Sequence, residues 1–410
     1  MTNPAAVVRR VARRVLYGAT SPEALRWIAR LLRLGPRAAE PGPVDSQSVQ
    51  RVLVVRVDEL GDLVLTTPLL RELKKALPAA AIHLVVRRGN ATLVDECPYL
   101  DTVFEIPVSR HRYLGRVARQ LTALRFAAGP LAGRCYDLAL VPRWDSDYFY
   151  NAAGIAYLSG ARWRIGNKER MPENASSDSL FTTIVDHSDL RHEVLRALAV
   201  LEPLGIRPNE TRLEICVGQA ADRRVVQLLA NAGVQRDYPT VGIAPGAGHP
   251  RRRWPVDRFA EVLRSLMAGG RINAVVIGGP EDRELGDAIV AQVGGGVANL
   301  AGMTDLSETA ALLRHTQLLV GNDSGPIHIA ATCGVPVVVV SCHSLTGDPN
   351  HANSPDRFHP WGVDHCVVRP VQPRRPCSDG CAAESAHCIE EVAITPVIAA
   401  AKRLLGVRVT

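Results

Sequence analysis

Arg56-Val57-Asp58-Glu59-Leu60-Gly61-Asp62 follows the first apolar run of the chain, and Gly321-Asn322-Asp323-Ser324-Gly325-Pro326-Ile327-His328 follows a late one. Both stretches stand where a strand hands over to a helix. Residues 52–57 form a short continuous apolar run with helical spacing after it from Leu63 to Leu77, and residues 318–320 are again apolar before the second loop. In an open α/β sheet, ligands bind at the carboxyl ends of strands, where helix N-terminal amides point and the dipole favours anions. Two such loops far apart in the chain predict two Rossmann-like α/β domains facing a central cleft.

Outward from the first loop, strand-like residues 82–86, 102–106, 138–141 and 182–185 alternate with helical or irregular stretches. That is the pattern of a parallel sheet covered on both faces. A helical stretch over 190–204 closes the series, and a second begins at Thr240, with strands over 241–244, 274–277, 298–300, 318–320 and 335–340. The expected organisation is an extension and linker over 1–50, a first domain over 51–235, a second over 236–388, and a C-terminal helix within 389–410 that returns to the first domain. At 410 residues and 47% hydrophobic, the chain can fill two cores. It carries no uncharged apolar run of about 18 residues that would span a membrane.

Charge is unevenly placed. Residues 1–37 hold Arg9, Arg10, Arg13, Arg14, Arg26, Arg30, Arg33 and Arg37 against one acid, Glu23, which equals the formal net charge of +7 of the whole chain. The rest is balanced, so the basic character describes an appendage and gives no reason to expect a nucleic-acid partner. The appendage reads as two amphipathic helices. The first sets Val7, Val8, Val11 and Val15 opposite its arginines; the second starts at a Ser21 cap with Pro22 behind it, carries Leu25, Ile28, Leu31 and Leu32, and stops at Gly35-Pro36. Such helices suit either an anionic membrane surface or packing on protein with the arginines in water.

The residue types at the strand ends suggest anion chemistry. After residues 241–244 come Pro245-Gly246-Ala247-Gly248-His249-Pro250-Arg251-Arg252-Arg253-Trp254-Pro255, where glycines let backbone approach a phosphate and arginines match its oxygens. Gly278-Gly279-Pro280-Glu281-Asp282 ends the next strand, where the Glu281 carboxylate can accept from ribose hydroxyls. Asp323, Ser324, Gly325 and His328 can face one anion. On the first domain, Asp62 next to Gly61 is either a helix cap or a working carboxylate, with Asp58 its rival. His111, Arg112, Arg116, Arg162 and Arg164 are candidates for an acidic acceptor, and Arg143-Trp144-Asp145-Ser146-Asp147-Tyr148 for lining a sugar.

Nine cysteines, irregularly spaced and without a signal-peptide pattern, fit a reducing compartment better than a disulfide framework. Cys377-x3-Cys381-x6-Cys388, with His387 and the more distant Cys366, raises a metal reading, but the spacing is neither a zinc ribbon nor a ferredoxin pattern. Free thiols or a local disulfide are the default, and no metal is assigned.

Taken together, Arg56-x-Asp58-x-x-Gly61-Asp62 with Thr66-Thr67-Pro68, Pro245-Gly246-Ala247 with Arg252-Arg253-Trp254-Pro255, and Asp323-Ser324-Gly325-Pro326-x-His328-x-Ala330 resemble glycosyltransferase family 9, the ADP-heptose:lipopolysaccharide heptosyltransferases. The resemblance spans about residues 51–405 and excludes the N-terminal extension. It implies a GT-B fold and inverting, metal-independent transfer of a heptose from ADP-heptose to an acceptor hydroxyl of a lipopolysaccharide core or related glycan, with no cofactor beyond the donor. Asp62 matches the family's catalytic base. Gly246, Ala247, Gly248, Asp323, Ser324, Gly325 and His328 match its donor loops, Glu281 is a looser match to its ribose-binding acid, and Arg252 stands where the family usually has lysine. The resemblance implies a cytoplasmic enzyme, and the membrane reading of the basic appendage would seat it peripherally on the inner face. Alternatives are transfer of another nucleotide sugar or to a natural-product acceptor, nucleotide-sugar epimerisation, and binding without catalysis.

Overall fold

The computed structural model describes residues 21–36, 42–107, 115–142, 152–169, 172–186 and 192–406. The first amphipathic stripe, His111, Arg112, the 143–148 stretch, and Arg9, Arg10, Arg13, Arg14 and Arg37 lie outside the described residues. The chain divides into two compact units, Met1–Ala91 with Cys97–Thr211, and Thr92–Glu96 with Arg212–Thr410.

The first unit runs α1 (Pro22–Leu31), β1 (Arg51–Arg56), α2 (Leu60–Leu65), α3 (Thr67–Ala76), β2 (Ala81–Arg87), β3 (Thr102–Ile106), α4 (Gly115–Ala128), β4 (Leu138–Val141), α5 (Ala152–Leu158), β5 (Trp163–Asn167), β6 (Thr183–Val185) and α6 (Glu193–Ala199). Its sheet has the order β3-β2-β1-β4-β5-β6, with Val54 of β1 level with Leu84 of β2 and Leu140 of β4 in parallel register. The Val-Leu-Val-Val core of β1 is buried on both faces, as the unbroken apolar run requires. The helix expected over 63–77 is two helices: the Thr66 amide turns back to the Leu63 carbonyl, and Pro68, lacking an N–H, opens the second. The 190–204 stretch likewise contains α6 and a separate short turn at Glu202–Leu204, where Pro203 interrupts and Gly205 closes at φ +71°.

Helix α1 begins as read, with the Ser21 hydroxyl accepting from the Ala24 amide at 3.2 Å. Leu25 and Ala29 are buried in the core of the first unit and Ile28 and Leu34 pack against it, so this helix belongs to the body. Trp27 and two members of the expected stripe, Leu31 and Leu32, stay exposed, at 64%, 62% and 54%.

The second unit runs α7 (Gln219–Asn231), β7 (Thr240–Ala244), α8 (Val256–Met267), β8 (Asn273–Val276), α9 (Arg283–Val293), β9 (Val297–Asn299), α10 (Leu306–Leu313), β10 (Leu318–Asn322), α11 (Gly325–Thr332), β11 (Val337–Val340), α12 (Pro355–Phe358), β12 (His365–Val368) and α13 (Ile394–Leu405). Its sheet order, β12-β11-β10-β7-β8-β9, is the same topology met again. Two expectations are corrected. Residues 212–235 belong to this unit, because α7 packs on α10. The C-terminal helix packs on α8 and on β10, β11 and β12 of its own unit, where Val397, Ala400 and Ala401 share a core with Val241, Ile243 and Val338. Its small alanines let it approach that sheet closely.

Candidate active site

In both sheets the strand order reverses beside the first strand of the unit, between β1 and β4 and between β7 and β10, and such reversals open crevices at the carboxyl ends. At the first crevice Arg56, the last residue of β1, is 1% exposed and gathers three carboxylates: Asp58 at 3.4 Å, Asp62 at 3.1 Å and Glu193 at 3.3 Å. Arg56 also donates to the Pro142 carbonyl just past β4, which ties the two sides of the reversal together. Asp62 sits in the first turn of α2, its other carboxylate oxygen accepting the Glu59 amide at 3.1 Å, so it does cap the helix. Capping leaves it ionisable. Burial pushes its carboxyl up to about 7, the charges of Asp58, Glu193 and Glu59 add to this, and Arg56 opposes. Three carboxylates around one cation cannot all ionise cheaply.

At the second crevice Asn322, at the end of β10, donates to the Pro245 carbonyl at 2.6 Å and accepts the Trp254 amide at 3.0 Å, clamping the loop after β7 to the loop after β10. Ser324 donates to the Gly246 carbonyl at 3.2 Å. Arg252 pairs with Asp323 at 3.4 Å and donates to its carbonyl, leaving a half-buried cation held at the strand ends. Asp323 is buried, accepts from Ser341 at 3.4 Å, and has its carboxyl raised by burial against the pull of Arg252. One turn into α11, buried His328 is held down to about 3 by desolvation and so is neutral, and its Nδ1 has no partner among the described residues. Gly325 is the first residue of α11, as expected.

The glycine loops also make room within the protein. A Cβ at Gly246 would lie 2.2 Å from a carboxylate oxygen of Asp282, and one at Gly278 would lie 2.6 Å from it. What Gly246 makes room for is therefore the side chain of Asp282, a buried carboxylate that accepts the Gly279 amide at 3.1 Å. Glu281, the expected ribose acid, is exposed. Gly248 faces open space, and Ala247 accepts Arg253 on its carbonyl at 3.2 Å.

The matching family model is that of Glycosyltransferase family 9 (heptosyltransferase), over residues 131–385, more than half of the chain. The chain belongs to that family. Lipopolysaccharide heptosyltransferase 3 of Escherichia coli is 28% identical to this glycosyltransferase over 308 residues, 73% of this chain and 83% of the relative. A family 9 glycosyl transferase structure from Veillonella parvula superposes with a TM-score of 0.69 at 22% identity, covering 87% of this chain and 97% of that one. The structure of E. coli ADP-heptose lps heptosyltransferase II gives 0.63 at 21%, covering 87% and 98%. Two six-stranded parallel sheets in this arrangement are the GT-B fold.

The other expected acceptor residues of this glycosyltransferase divide. Arg164 is buried in β5, and its guanidinium donates to the Leu180 and Ala161 carbonyls at 2.7 Å each, so it serves the fold and is corrected as an acceptor contact. Arg162 is exposed, over the Trp163 ring at 4.5 Å. Arg116 falls in α4, with its side chain outside the description. Glu193 and Ser341 were missed by sequence reasoning, because each meets its partner at a distance along the chain and outside any motif, and Asp282 and Asn322 stand in the quoted loops but were given no role there.

Proposed function

We propose that this enzyme transfers a heptose from ADP-heptose to a hydroxyl of a lipopolysaccharide core glycan, with inversion and without a catalytic metal. The observation that carries the reading is Asp62, a carboxylate held by Arg56 at a strand-end crevice and balanced near neutrality. In the proposed step the acceptor hydroxyl gives its proton to Asp62, its oxygen bonds to the sugar's anomeric carbon, and the bond from that carbon to the diphosphate breaks as ADP leaves. Charge gathering on the diphosphate meets Arg252, oriented by Asp323, and the loop amides around Ser324 and Gly325. Neutral His328 suits hydrogen bonding better than charge pairing. Asp58 is the second carboxylate available to the acceptor. The names of the similar proteins support the donor and the acceptor class.

We further propose a peripheral seat on the inner face of an anionic membrane, supported by exposed Trp27, Leu31 and Leu32 beside Arg30 and Arg33. No described helix is long and apolar enough to cross a membrane. The deciding experiment incubates the protein with a panel of nucleotide sugars, with and without deacylated core oligosaccharide. ADP release from ADP-heptose that depends on the acceptor is expected. Acceptor-independent isomerisation of a donor would establish the epimerase instead, and binding without turnover a non-catalytic protein.

A further inference from the structure

Between β12 and α13 the chain forms no strand and only a short turn at Cys388–Glu391, yet this irregular stretch carries part of the second core: Cys381 and Cys388 are buried in it, and Cys377, Ala383 and Ala386 pack against it. Within the stretch, Cys377, Cys381, His387 and Cys388 each turn one ligand-type atom toward a common point, all four atoms lying within 4.8 Å of one another. The Nδ1 of His387 is 3.7 Å from the sulfur of Cys377 and 3.4 Å from that of Cys388.

Those separations discriminate. Around a tetrahedral ion with metal–sulfur bonds of about 2.3 Å and metal–nitrogen bonds of about 2.0 Å, neighbouring ligand atoms fall roughly 3.5–3.8 Å apart. A disulfide would hold two sulfurs at about 2 Å and leave the third thiol and the imidazole unexplained. Three thiols and a ring nitrogen are also the donor set that soft or borderline divalent cations prefer. Four protein ligands close the coordination sphere, which makes the site structural.

We propose that Cys377, Cys381, His387 and Cys388 bind one tetrahedral divalent cation, zinc or ferrous iron. On binding, the three thiols release their protons and the imidazole coordinates through Nδ1. The site replaces the default reading of free thiols or a local disulfide.

The clasp lies behind the arginine loop. Arg251 donates to the Ala383 carbonyl at 3.5 Å, Trp254 to Val392 at 3.1 Å, and Arg258 to Glu390 at 2.6 Å and to Val392 at 2.8 Å. Fixing the stretch therefore fixes the backing of the loop that presents Arg252. The proposal stands independently of which sugar is transferred.

The test is elemental analysis of the full chain purified anaerobically without chelator, followed by metal removal and titration with Co²⁺. One equivalent of metal per chain is expected, and the element found separates zinc from iron. The cobalt form should show the intense visible bands of a tetrahedral thiolate site, and Cys377→Ser with Cys388→Ser should abolish them. Metal well below one equivalent together with no cobalt bands in the reduced wild-type chain would overturn the proposal, as would a disulfide among these cysteines in anaerobically lysed cells. Both readouts use the wild-type protein, so misfolding of the double variant would leave the answer intact.

Discussion

At the end of β1 a single buried guanidinium serves three carboxylates, and that ratio governs how the cluster titrates. Asp62→Asn should lower turnover about a hundredfold or more, the range for a lost general base, with donor affinity little changed by calorimetry. Near-normal turnover would transfer the role to Asp58. The wild-type rate should rise with pH through about 7 as Asp62 ionises, and the variant should lose that limb. Stability runs the other way. A carboxyl raised from 3.8 to about 7 on folding contributes fully below the lower value and loses that contribution as pH rises through the higher. Asp62→Asn should therefore melt higher than wild type at about pH 8, with the gap closing toward about pH 4. Glu193→Gln removes a buried negative neighbour, which favours ionised Asp62, so the acidic limb should move to lower pH while plateau turnover persists; an unmoved limb would uncouple the two groups. Asp62 was legible because it belongs to a short motif beside a strand. Glu193 was not, since its link to Arg56 spans 137 residues of chain with no pattern between them.

At the scale of elements, continuous apolar runs gave away the central strands, whose two buried faces leave little room for polar residues. Strand β5 was hidden by the same logic in reverse: Arg164 and Asn167 interrupt its apolar reading, yet all five of its residues are buried because both polar side chains find backbone carbonyls. Edge strand β12 carries His365 and Cys366 and is only half-buried, which weakens its signature. The loop after β7 shows how a correct motif can carry an incomplete reason. Its glycine is fixed by contact with Asp282, so Gly246→Ala should destabilise the chain by about 1–3 kcal/mol in denaturant titrations, the range for overpacking. Asp282→Ser in the same chain should recover part of that loss. Full stability of the single variant would mean that the carboxylate moves aside without cost.

For the molecule as a whole, the uneven charge and the exposed apolar face of α1 make membrane attachment testable without truncation. Removing α1 would also remove Leu25 and Ala29 from the core, so surface substitutions are the cleaner probe. Wild-type protein should co-sediment with phosphatidylglycerol vesicles, more weakly as salt rises. Trp27→Glu with Leu31→Glu should release it with its melting temperature preserved, and failure of the wild type to bind even at low salt would assign the first 37 residues to protein contacts. The partition of the chain has a consequence for its biosynthesis. The first unit is finished at Thr211, but Thr92–Glu96, inside its span, belongs with the second unit. Leu93 and Val94, both buried in the finished protein, leave the ribosome long before residues 212–410 are made. Thr92–Glu96 therefore waits for the rest of its own unit until that last stretch is made, a reason for the two halves to mature as one event.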